Sequence, residues 1–129
     1  MSYLTDEELQ VASRFLFLSM AIIVIQLDIR NIQKGAFKIK EPYIELLEKM
    51  ATTAIAERKR LRNIMESHQM EVVSLNQNDS FSSYLFICQG REEKRNYFNP
   101  AIRKKVETIF RELIQKALIQ DHSYVSTTP

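Results

Sequence analysis

Apolar residues run along this chain in four successive rhythms. The first occupies residues 15–25, "FLFLSMAIIVI", where only Ser19 interrupts the run. These positions cover nearly every side of a helical cylinder, and a helix that is hydrophobic all round must be covered all round. Ahead of the run, Thr5 and Glu8 have capping-box spacing, and Asp6 and Glu7 suit the positive end of a helix dipole. No glycine or proline intervenes before Gly35, which is expected as a left-handed stop. A helix is expected over residues 5–33, about 42 Å long at 1.5 Å per residue.

The second rhythm begins at Pro42, which is suited to the first turn of a helix. Tyr43, Leu46, Leu47, Met50, Ala54, Leu61, Ile64 and Met65 then fall at helical spacings and predict one buried stripe over residues 42–68. Between these helices Phe37 and Ile39 alternate with Lys38 and Lys40, the pattern of a short edge strand near 36–40. The third rhythm is β-like: Val72, Val73 and Leu75, a turn-rich "NQNDS", then an apolar run from Phe81 to Cys88. It predicts a hairpin over residues 71–89, ended by Gly90, with "REEKRNYF" as a charged connector behind it. The fourth opens on Asn99 as N-cap and Pro100 at the first helical position. Ile102, Val106, Ile109, Phe110, Leu113, Ala117 and Leu118 carry that helix over residues 100–120. The fold class is therefore mainly α, a bundle of three long helices with a small β-hairpin between the second and third. Residues 1–122 form one domain, and residues 123–129 are expected to be a flexible tail.

Composition narrows this picture without redirecting it. A chain of 129 residues, 45% hydrophobic and 26% charged, can bury one core without metals or disulfides. Two glycines and three prolines suit long helices better than glycine-cornered sheets. The single cysteine, Cys88, excludes an internal disulfide framework and points to the cytoplasm. The apolar run is no secretory signal, since Asp6, Glu7 and Glu8 stand where a positive start is required. It is also about half the roughly 20 residues that a membrane span needs. A core helix with surplus apolar surface remains, and no membrane partner is expected.

Candidate chemistry is sparse. With Gly35 and Gly90 as the only glycines, no phosphate-cradling loop can be assembled. His68 and His122 sit in no metal-ligand spacing, so neither metal nor cofactor is expected. Cys88 lies in an apolar strand pattern, which favours packing over nucleophilic chemistry. Basic clusters are the better lead: Arg58, Lys59, Arg60 and Arg62, then Arg103, Lys104 and Lys105, then Arg91, Lys94 and Arg95. Of these, Arg58, Lys59, Arg62, Arg103, Lys104 and Lys105 are candidate anion or nucleic-acid contacts. Acidic neighbours are interleaved, and the net charge is only +2, which favours a solvated surface over a nucleic-acid footprint. Phe15, Phe17, Ile22 and Val24 are expected to carry self-association into a dimer or larger. The reading is a non-enzymatic cytoplasmic adaptor or regulator working through protein contacts. A nucleic-acid-associated regulator is the alternative.

Overall fold

The computed structural model describes residues 3–126, with side chains through residue 119. Three helices, α1 (Asp6–Lys34), α2 (Glu41–Ser67) and α3 (Asn99–Ser126), enclose three strands in chain order, β1 (Met70–Gln77), β2 (Phe81–Cys88) and β3 (Arg91–Phe98). The helices agree with the expected ones within a residue at each start. The capping box at the head of α1 is complete: Glu8 donates its amide to Thr5 Oγ1 at 3.2 Å, and Thr5 donates its own to Glu8 Oε1 at 2.8 Å. α3 continues six residues past the expected end, taking in positions 123–126 of the expected tail, while residues 127–129 lie outside the described residues.

Two connectors differ from expectation. Residues 36–40 form no strand, because no neighbouring strand lies there to accept their backbone groups. Phe37 and Ile39 stand exposed instead, with the Phe37 ring tilted toward Tyr43. Gly35 ends α1 in an extended conformation, with φ −77°, rather than a left-handed one. What demands glycine there is space, since a Cβ would meet the Asn31 carbonyl oxygen at 2.9 Å and the Phe37 ring at 3.0 Å.

The larger correction is the sheet, which has three antiparallel strands in the order β1-β2-β3 rather than two. Gln89 and Gly90 both take positive φ, 51° and 80°, and make a two-residue turn that pairs Cys88 with Arg91. The charged "REEKRNYF" then runs antiparallel to β2 as far as Phe98 opposite Phe81. An edge strand draws its stability from ladder hydrogen bonds to its neighbour and tolerates charge on its open side. Side-chain pattern alone therefore hides it. Asn99 likewise does not serve as a free cap. Its amide oxygen accepts from Ser82 Oγ at 2.7 Å and its amide nitrogen donates to the Asn78 carbonyl at 2.8 Å, tying the start of α3 to the sheet.

Two apolar clusters meet along α1. In the first, Leu18, Ala21, Ile22 and Ile25 pack with Met50 and Ala54 of α2 and Ile109, Leu113 and Ala117 of α3. In the second, Ala12 and Leu4 pack under Tyr84, Phe86 and Cys88 of β2, with Met65 and Met70. Leu16, Met20, Tyr97 and Ile102 touch both clusters and join them. As a whole, α1 is long and apolar enough by length and composition to cross a membrane, a test the run of residues 15–25 alone fails. In this fold it is the helix on which every other element rests.

One side chain at the head of α1 has a pH signature. Arg91 of β3 forks onto Glu8, Nη2 to Oε2 at 2.6 Å and Nη1 to Oε1 at 2.8 Å. Those bonds, with the Thr5 amide, hold the Glu8 carboxyl at about 2 instead of 4.5. A depressed folded pKa contributes stability that is complete above the unfolded value and is lost as pH falls through the folded one. Urea unfolding of the native chain is expected to weaken steadily as pH falls from about 4.5 toward about 2. Glu8→Gln keeps a capping side chain but removes the charge, so it should weaken the protein at neutral pH and flatten the acid limb.

Candidate interaction face

The outward side of α1 is unlike that of a helix packed on one face only. Leu18, Ala21, Ile22 and Ile25 point into the core, yet Ile23, Val24 and Leu27 on the other side are 58%, 37% and 44% exposed. Leu16, Met20, Ile23 and Leu27 recur at spacings of four, three and four, the repeat of a coiled-coil seam. The N-terminal part of this seam is covered: Leu16 and Met20 are partly buried against both clusters. Ile23 and Leu27 have no such cover.

Grooves flank the seam on both sides. Between α1 and α2 lies one of about 510 Å³, floored by Ile22, Ile23 and Ile55 and rimmed by Ser19, Arg58, Lys59, Arg62 and Asn63. Its lining holds three cations and no carboxylate. Arg58 is held in place by donating from Nε to Ser19 Oγ at 2.7 Å, with its guanidinium 4.6 Å from the centre of the Phe15 ring. Between α1 and α3 lies a second groove of about 460 Å³, lined by Met20, Val24, Ile102, Arg103, Val106, Glu107 and Phe110.

The candidate cations therefore separate. Arg58, Lys59 and Arg62 converge on the α1–α2 groove, whereas Arg103, Lys104 and Lys105 scatter round α3 because successive helical residues point about 100° apart. Arg103 enters the α1–α3 groove, and Lys105 reaches another depression, its Nζ 5.6 Å from the Phe17 ring. Lys104 stays exposed beside neither groove. In the third cluster Arg91 is bound to Glu8 and Arg95 to Glu93.

The expected self-association residues need correcting in part. Phe17 and Ile22 are 5% and 8% exposed, within the chain's own core, where Phe17 meets Tyr97 edge to face. Phe15 is half-buried under Arg58. Only Val24 of the four is exposed. Ile23, Leu27 and Ile55 take the place of the others. The four-three-four spacing was the available signal, but a run apolar on all sides does not say which stripe faces inward.

The remaining polar clusters serve the frame. Arg14 forks onto Glu57 of α2, at 2.7 and 3.0 Å, and also reaches Glu112 of α3 at 3.0 Å. The Arg14 bonds hold the Glu57 carboxyl below the usual range against its burial. Cys88 is fully buried, with Sγ 3.4 Å from Glu8 Oε2 and 3.5 Å from the His68 carbonyl oxygen, not its ring. Burial and the Glu8 charge push the thiol's pKa up, which disfavours a thiolate. The His122 side chain lies outside the described residues. No group of three His, Cys, Asp or Glu side chains converges among the described residues.

The model of the YhjD protein family matches residues 3–118. The chain is similar to the uncharacterized protein YhjD of Bacillus subtilis (strain 168), at 29% identity over 109 residues that cover 84% of this chain and 91% of that protein. No solved structure matches the chain.

Proposed function

The chain belongs to the YhjD protein family, and from that premise we propose a small, non-enzymatic cytoplasmic protein that acts as an adaptor or regulator through protein contacts and self-association. The observation that carries this reading is the second apolar stripe of α1. Ile23, Val24 and Leu27, with Ile55 across the groove from Ile23, leave apolar surface open on the helix at the centre of the fold. Exposed apolar surface of this kind, rimmed by polar groups, marks contact sites between proteins. The high pKa and full burial of Cys88 weigh against thiol chemistry. Separation of the basic clusters into different grooves favours protein contacts over a nucleic-acid track.

Light scattering across micromolar concentrations is expected to give a dimer or larger. The paired substitution Ile23→Glu and Leu27→Glu should shift it toward monomer while leaving the melting curve nearly unchanged, because both positions are open to solvent in the single chain. A native chain that stays monomeric throughout ends the proposal.

A further inference from the structure

The outer face of α2 carries a second repeat, and its residues are sorted by charge. Glu41, Glu45 and Glu48 occupy the first half, Thr52 and Ile55 the middle, and Lys59 and Arg62 the second half. Their spacings alternate four and three, so they form one stripe along the helix, and all seven are exposed; Glu66, four residues after Arg62, closes the stripe as an exposed acid 3.5 Å from Arg62. Opposite them Met50 and Ala54 are buried, so the charged stripe is the side turned away from the core. Among the described residues neither Glu45, Glu48 nor Lys59 has an intrachain ion pair, and Arg62 has only the exposed Glu66 at 3.5 Å.

We propose that this stripe pairs with the same stripe of a second copy in an antiparallel, two-fold arrangement centred between Thr52 and Ile55. That centre sets Thr52 against the partner's Ile55, Glu48 against the partner's Lys59, and Glu45 against the partner's Arg62. Each contact is repeated by symmetry, giving four ion pairs, two on either side of the middle; at the two outer ends Glu41 meets the partner's Glu66, a like-charge contact that Arg62, 3.5 Å from Glu66, offsets. A parallel pairing would put glutamates on glutamates and cations on cations, so charge selects the antiparallel one. The apolar contribution comes from Ile55 at the middle of the stripe and from Ile23, which lines the same groove as Ile55, Lys59 and Arg62. Thr52 and the neighbouring Ala56 are small enough for the two helices to approach closely. The inference rests on the reading that the chain self-associates and adds which surface meets which.

Charge reversal tests it. Lys59→Glu alone places like charges at both copies of its pair, as does Glu48→Lys alone. Each variant by itself is expected to associate about a hundredfold more weakly than the native chain by sedimentation equilibrium. Mixed in equal amounts the two should recover association, since each then meets the opposite charge at both ends. Circular dichroism should show native melting for both, because these side chains are exposed and hold nothing in the fold. If both variants associate as the native chain does, or if both are weakened and the mixture stays weak, this pairing is overturned while self-association itself stands. A native chain that is monomeric overturns both.

Discussion

Truncating Phe86 to alanine is expected to remove about 3–5 kcal/mol of folding stability. Phe86 is on the central strand and is completely buried. Its ring lies in the cluster that joins β2 to Ala12 of α1 and Met65 of α2, so the cavity would open where sheet and helices meet. Strands β1 and β3 hydrogen-bond to β2 from either side and limit how far the site can collapse. Phe81 supplies the comparison on the same strand. It is 48% exposed, and its ring contacts only the edge-strand Phe98 at 5.5 Å among the aromatic pairs. Phe81→Ala should lose no more than about 1 kcal/mol. Urea midpoints measured on the two variants together check this, and near-equal losses would mean that the sheet is not seated on the helices as described.

Arg14→Ala is expected to destabilise the chain by about 2 kcal/mol, which is large for an ion pair. Arg14 touches α2 and α3 at once, and the side chains of Arg14 and Glu57 are only 27% and 18% exposed. That places the pair between fully exposed bridges, worth about 0.2–1 kcal/mol, and buried ones, whose rupture loses about 3–5. Much of the loss would come from leaving Glu57 half-buried without its cation. Arg111→Ala is the comparison, because its pair with Glu107 is 77% and 57% exposed and should be worth under about 0.5 kcal/mol. A double-mutant cycle with Glu57→Ala isolates the coupling. An Arg14→Ala loss no greater than that of Arg111→Ala would show that solvent screens the three-helix tie.

The three helices were legible because their evidence is local. Thr5 and Glu8 announce the start of α1, Pro42 that of α2, and the apolar spacing of each helix repeats over several turns. The third strand was not legible, since Arg91, Glu92, Glu93, Lys94 and Arg95 carry no apolar alternation. The candidate interaction face was legible only in kind. Surplus apolar surface on residues 15–25 was evident, but Phe17 and Ile22 proved to be core and Ile23 and Leu27 surface.

What the sequence determined by itself, then, is the number of the helices and where each begins, the capping box and the turn-bounded β segment. Each depends on contacts a few residues apart, where spacing alone sets geometry. Tertiary structure alone decided three further things. It paired β3 with β2, because an edge strand is stabilised by its neighbour's backbone and not by its own side chains. It separated the basic clusters into different grooves, since only packing determines which helix faces lie side by side. It also chose the inward side of α1, because a helix apolar all round carries no phase of its own until α2, α3 and the sheet settle against it.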